Sequence, residues 1–308
     1  MFVSEWCTDP NNITLQKASV VYDDSISEQF DEKRKKMDRF LYLVDNYAII
    51  RDCAEDLKAI QPHDDDKFWK VNKYLLNYVN AVFCYREFIS NYDPPLSKKS
   101  DQYYRFDFGK KWYRFVCELR NHVIHQSIII NSYDRETGDI YINLAELEEK
   151  QKEKIRDQGL ENNKGAQYFL SMIQGLAQNP DGGGKDKPLC SMKKIVRLAE
   201  QELYDMSNDI FLEAYKKGVK PIMKWMLSLV QHSDDTDRYT FIVNKENRSY
   251  APIEPNFSLE WYFKNMVQRL GKDSIVIHSM RHLFVSNGYS YFYDGSCDID
   301  AFINRWSE

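Results

Sequence analysis

Between residues 24 and 127 the chain carries three long stretches of helical periodicity, and prolines part each from the next. In the first, Phe40, Leu43, Val44, Tyr47, Ile50 and Cys53 recur at the three- and four-residue spacing of one apolar stripe. Pro62 marks its end, and "HDDD" then places acids where the positive end of the next helix favours them. That second helix, "KFWKVNKYLLNYVNAVFCYREFISNY", must close before Asp93, because Pro94 and Pro95 cannot continue it. A third runs through "RFDFGKKWYRFVCELRNHVIHQS". A chain that opens this way builds its core from helices.

The pattern then changes. Ile128 to Ile130 and Ile140 to Ile142 form two β-rich runs around Thr137-Gly138-Asp139, which predicts a hairpin. "AELEEKQKEKIRDQGL" is polar nearly all round and predicts a solvated helix. "NPDGGGKDKP" predicts a flexible loop near 178–188. Helical spacing returns from about 189 to 232, where Ile195, Leu198, Leu203, Met206, Ile210 and Leu212 mark a core face and Pro221 a kink or restart. "RYTFIVNKENRSYAPI" predicts a second hairpin. "SLEWYFKNMVQRLG" predicts a short helix, with Ser258 as N-cap and Gly271 as the stop. The expected fold is mainly α: a helical bundle over 1–232 with an inserted hairpin, then a smaller mixed α/β region over 233–308 of unassigned role.

Charge and cysteine usage narrow the function classes. The net charge of −5 gives no global basic signature, so nucleic-acid binding must come from a local patch. The six cysteines are scattered without a CxxC pair, which is neither a disulfide framework nor a zinc site and fits a reducing cytosol. "MFVSEWCTDPNN" lacks the basic and apolar segments of a signal peptide. The longest apolar runs are too short to span a bilayer. The expectation is a cytoplasmic protein without membrane partners.

On a helical wheel at ~100° per residue, Phe108, Trp112, Phe115, Val116, Leu119 and Val123 gather on one side. Arg114, Glu118, Asn121 and His125 gather opposite, within about a 60° arc, so they can meet along one ridge. Arg120 flanks the ridge, and His122 lies between it and the core face. A histidine near its free pKa can move protons at neutral pH. An arginine can hold a phosphate through two hydrogen bonds and stabilise the charge that builds on it. Glu118 or Asn121 could fix the histidine tautomer. These are parts for cleaving RNA, whose own 2′-hydroxyl can attack phosphorus without a metal. The step needs both a base and an acid, and a two-fold dimer would bring two copies of His125 to one site. The plainer reading of the same residues is the wet face of a helix.

"RNHVIH" resembles the arginine, four-to-six residues, histidine motif of HEPN domains, including the polar residue that follows the arginine. Long helices before the motif, and its place near a helix end, extend the resemblance over roughly residues 23 to 145. It implies a metal-independent, homodimeric endoribonuclease without a cofactor, acting as a toxin, in anti-phage abortive infection or in RNA processing. Carried over by residue, it implies catalytic Arg120 and His125 with Asn121. Glu118 and His122 are added as supporting residues from the wheel. The alternative is a non-catalytic module that dimerises, or binds RNA, a nucleotide or an antitoxin partner.

From Lys98 to Arg120, seven basic residues face three acidic ones, with aromatics interleaved. Arg105, Lys110, Lys111, Arg114 and Tyr113 are therefore candidates for holding RNA, against core packing with charged ends reaching outward. Three other motifs are weak. His278 and His282 have a metal-compatible i,i+4 spacing but no HExxH glutamate. "DGSCDID" lacks a full EF-hand loop, and "DGGGK" lacks the P-loop spacing.

Overall fold

The computed structural model describes residues 18–22, 24–61, 68–104, 110–126, 130–183, 187–229, 239–244, 249–253 and 255–286. The protein is mainly helical with small sheets. It divides into two compact units, Asn46–Ile210 and Met1–Asp45 with Phe211–Glu308. The division does not fall at the single point near 232 that the sequence suggests. Chain segments from both ends share one core, a pairing that local patterns cannot reveal.

In the unit Asn46–Ile210, the second half of α1 (Asp24–Lys58) is followed by α2 (Phe68–Tyr92), α3 (Pro94–Tyr104) and α4 (Lys111–Gln126). The stripe predicted for α1 is its buried face, with Ala54 and Leu57 extending it, while Cys53 is half-buried. Pro94 and Pro95 do end α2, but they also begin α3, a helix that the expectation of a stop leaves out. Proline suits a first helical turn, because the N–H it lacks would have no partner there. α2 packs on both α3 and α4. The "HDDD" segment lies outside the described residues.

β2 (Ile130–Tyr133) and β3 (Ile140–Asn143) form the expected hairpin, with Ile130 opposite Ile142 and Tyr133 opposite Ile140. A third strand, β4 (Leu189–Ser191), adds antiparallel to β3. Between them lie α5 (Leu144–Asp157) and α6 (Lys164–Gln178), each begun by an asparagine whose side chain accepts first-turn N–H groups. The helix expected to be solvated all round, α5, instead buries Leu144, Leu147, Gln151 and Ile155. Their offsets of three, four and four make one narrow stripe, which the surrounding charges obscured.

The loop before β4 is anchored at its ends. Gly182 bridges Leu189, and Asp181 accepts from the Ser191 N–H at 3.0 Å and pairs with Lys194 at 2.6 Å. Gly183 sits at φ +83°, and a Cβ there would lie 2.0 Å from the Lys187 carbonyl oxygen. Ser191 caps α7 (Met192–Ala214) by accepting from Lys194 N–H at 3.2 Å.

In the other unit, the first half of α1 shares a core with the end of α7 through the edge-on Phe40–Phe211 pair. A π turn (Tyr215–Val219) leads into α8 (Lys220–Leu229). Pro221 cannot donate to the preceding turn, and the ladder widens ahead of it. β5 (Tyr239–Asn244) and β6 (Ser249–Ile253) form the second hairpin, and β1 (Ala18–Tyr22) adds parallel to β5. α9 (Pro255–Leu270) and α10 (Ile275–Ser286) complete the unit. α9 begins before Ser258, so Ser258 is a helical residue and not the cap. Gly271 ends α9 at φ +79°, as expected. Tyr262 donates to the Met37 carbonyl at 3.2 Å, and Arg269 pairs with Asp45. No helix among the described residues is long and apolar enough to cross a membrane.

Candidate functional site

The motif helix α4 is held at its N-terminus by a distant residue. One carboxylate oxygen of Glu202, on α7, accepts from the backbone N–H groups of both Trp112 and Tyr113 at 2.8 Å. An anion here satisfies two orphan donors and the positive end of the helix together. Burial nevertheless raises the Glu202 pKa, outweighing those two hydrogen bonds and the nearby lysines.

The wheel assigns α4 one core face and one wet face, and the structure corrects the second. Tyr113 and Arg114 are 0% and 4% exposed, alongside buried Phe115, Val116, Cys117 and Leu119. Neither Tyr113 nor Arg114 presents a surface to RNA. For Arg114 the cause is α6, which packs over the flank expected to be open, while Tyr113 lies edge-on to Tyr104 of α3. Phe169 of α6 stacks on Phe115 at 5.3 Å, and Tyr168 lies 4.7 Å from the Arg114 guanidinium. Arg114 also reaches the Tyr104 ring at 5.0 Å, with Arg86 against that ring at 3.8 Å. Glu118, half-buried, accepts the Tyr104 hydroxyl hydrogen bond. Burial, then the Glu118 charge, pushes the Tyr104 pKa up, so the phenol remains the donor. Glu118 is thus engaged by a tyrosine.

His122 is the second correction. The expected boundary residue is 1% exposed. Its Nε2 lies 2.8 Å from Gln151 Oε1, and its ring tilts over Phe169 at 5.5 Å. Gln151 donates its amide N–H to the Ala166 carbonyl at 3.0 Å. A carbonyl can only accept, so the Gln151 oxygen must face His122, and His122 must carry its proton on Nε2. The link ties α4 to α5 and α6 and withdraws His122 from solvent chemistry.

Arg120 and Asn121 are half-buried. The Arg120 guanidinium stacks 4.0 Å above the Phe83 ring of α2, and its buried Nε has no hydrogen-bond partner. Stacking fixes the plane of the fork without using its terminal nitrogens. His125 is in the last turn of α4; its side chain, and Arg105 altogether, lie outside the described residues.

The basic stretch meets acids that sequence distance hid. Lys110 pairs with Asp205 of α7 at 2.9 Å, and Tyr103 donates to Asp209. With Glu202, three acids of α7 therefore face the segment read as an RNA track. Lys111 stays exposed, 4.9 Å from the Trp112 ring. The residues that sequence reasoning missed are Phe83, Arg86, Gln151, Tyr168 and the α7 acids. Only Gln151 left a signal, its place in the Leu144–Leu147–Ile155 stripe.

His278 and His282 lie exposed on α10, and "DGSCDID" lies outside the described residues. Among the described residues no group of three or more His, Cys, Asp or Glu is arranged to hold a metal ion. No protein-family model, no curated protein and no solved structure matches the chain.

Proposed function

We propose that the protein is a metal-independent, homodimeric endoribonuclease of HEPN type, acting in the cytoplasm as a toxin or anti-phage effector. The observation that carries this reading is the placement of Arg120. Its side chain is half-buried, with the guanidinium stacked on Phe83, and it is borne by the same helix that carries Asn121 and, five residues on, His125. Arg120 holds the scissile phosphate and takes the charge that develops on it. His125 accepts the proton of the 2′-hydroxyl as that oxygen attacks phosphorus. The 5′-oxygen leaves with a proton from a second acid, and a 2′,3′-cyclic phosphate remains. His122 is unsuited to be that acid, because its ring is buried and its Nε2 proton is committed to Gln151. The second proton therefore comes from His125 of another copy, which is the reason for the dimer.

Purified protein is expected to cleave RNA in EDTA and to leave cyclic phosphate ends, and His125→Ala to abolish cleavage while the protein stays folded. Full cleavage by His125→Ala refutes the assignment. One observation favours a second reading, a non-catalytic module for an antitoxin partner. The Lys110–Asp205 pair and the neighbouring α7 acids weaken the positive track a nuclease would use. Under that reading the protein binds its partner, cleaves nothing under any condition, and is equally toxic on expression with or without His125.

A further inference from the structure

A different basic surface lies away from α4, within the unit Met1–Asp45 with Phe211–Glu308. From Ala214 to Leu229 the chain carries Lys216, Lys217, Lys220 and Lys224 and no acid. The π turn and α8 turn an apolar face inward, with Val219, Ile222, Met223, Met226 and Leu227 buried. The lysines are left on the outer face: Lys216 and Lys224 are exposed, and Lys220 is half-buried. In a straight α-helix each four-residue step drifts by about 40°, so these three would spread over about 80°. The π turn narrows that spread. The Lys220 N–H donates to the Tyr215 carbonyl, five residues back. The wider turn makes the first step fall short of a full circle, so it swings back against the second. Lys216, Lys220 and Lys224 thereby form one ridge, about 12 Å long at ~1.5 Å per residue.

Like charges at this spacing repel and cost the helix stability. None of the three ammoniums makes a hydrogen bond or ion pair among the described residues, whereas Lys217 pairs with Glu213 at 2.6 Å. On the flank, Lys33 of α1 lies 4.4 Å from the Trp225 ring, and Glu32 beside it pairs with Lys36 at 2.6 Å. A line of cations along the outside of a helix encloses no small anion and suits an extended one. A lipid surface favours an apolar face beside the lysines, and a protein partner favours aromatic anchors. The apolar face of α8 is used by the core, and no large apolar side chain of the π turn or α8 is among the exposed ones described. The phosphodiester backbone of a nucleic-acid strand needs only the cations.

We infer that the ridge of Lys216, Lys220 and Lys224 binds the phosphodiester backbone of a nucleic-acid strand. The three ammoniums contact its phosphates and displace the counterions held there. The inference stands apart from the cleavage reading, because none of the three belongs to the α4 site.

The test uses the full chain carrying His125→Ala, so that no RNA probe is consumed. A fluorescein-labelled ten-nucleotide oligouridylate and the matching oligothymidylate are titrated by anisotropy between about 50 and 200 mM salt. Lys216→Gln/Lys220→Gln/Lys224→Gln is compared with Lys152→Gln/Lys154→Gln/Lys164→Gln, which removes the same charge from α5 and α6. The ridge variant should bind about tenfold or more weakly at the low-salt end, with a salt slope smaller by about 2. The α5–α6 variant should bind like the parent. A fall for both probes assigns the ridge to the backbone that RNA and DNA share; a fall for one probe assigns it to that strand. If the ridge triple unfolds, Lys224→Gln alone should lower the slope by about 0.7, and an unchanged slope there counts against the ridge. The inference is overturned if neither probe binds, if the ridge variants bind as tightly as the parent, or if the α5–α6 variant loses as much. It is also overturned if the ridge is needed for sedimentation with phosphatidylserine vesicles while neither strand binds. The two readings fail separately: cleavage by the His125 chain without ridge-dependent binding removes this one, and ridge-dependent binding without cleavage removes the nuclease.

Discussion

The His122–Gln151 link can be broken from either side, and the two breaks should not add. Both side chains are buried, at 1% and 2% exposure, and Gln151 spans His122 Nε2 at 2.8 Å and the Ala166 carbonyl at 3.0 Å. His122→Phe keeps a ring against Phe169 but strips Gln151 Oε1 of its donor. A buried acceptor left bare costs about 1–3 kcal/mol. Gln151→Leu strips the His122 N–H of its acceptor, again about 1–3 kcal/mol. In the double variant neither orphan exists. The Ala166 carbonyl loses a donor but remains in the helical ladder of α6, so the double change should cost about 1 kcal/mol. The coupling energy is then about 1–5 kcal/mol, read from urea midpoints of the four proteins at constant m-value. Additivity within about 0.5 kcal/mol would refute the buried link. The same His122→Phe protein should cleave RNA like the wild type if the nuclease reading holds. A cleavage defect as deep as that of His125→Ala would return His122 to the catalytic site.

Two further outcomes concern the anchored loop. Gly183→Ala combines a left-handed φ of +83° with a Cβ placed 2.0 Å from a backbone oxygen, so the backbone must shift. A loss of about 1–3 kcal/mol, seen in thermal unfolding, is expected, and an unchanged melting temperature would contradict the loop geometry. Asp181 gives a pH signature: burial opposes its ionisation, but the Lys194 ammonium and the Ser191 N–H together hold its carboxyl below the usual range. Because the folded pKa is depressed, this stabilisation is complete above the unfolded pKa near ~4 and is lost as pH falls through the folded value. Asp181→Asn should therefore flatten the stability profile below about pH 4, while leaving its neutral side without added slope. A wild-type acid limb retained by Asp181→Asn would remove Asp181 from that role.

Local patterns carry local structure. The stripe from Phe40 to Ile50 specifies α1 because residues three and four apart share a face whatever the rest of the chain does. Both hairpins and the Gly271 stop were legible for the same reason: their hydrogen bonds close within a few residues. Pro94 and Pro95 signal an ending and a beginning at once, since one rule forbids them inside a helix and another favours them at its start. The motif "RNHVIH" was legible as a string on a helix, but the exposure of its residues was not.

Burial of Arg114 and His122 was decided by α6, whose packing over α4 no pattern within either helix reports. The partner of His122 lies 29 residues away, and that of Lys110 lies 95 away. No periodicity within a helix reports on such distant partners. A wheel sorts side chains by direction, but whether a given direction ends in water or in Phe169 depends on which other helix packs there. The sequence by itself determined the long helices α1, α2 and α4, both hairpins, and which residues α4 carries, but not α3, α6 or α10. Only the tertiary packing decided that His122 is a buried hydrogen-bond donor and that α7 acids meet the basic stretch.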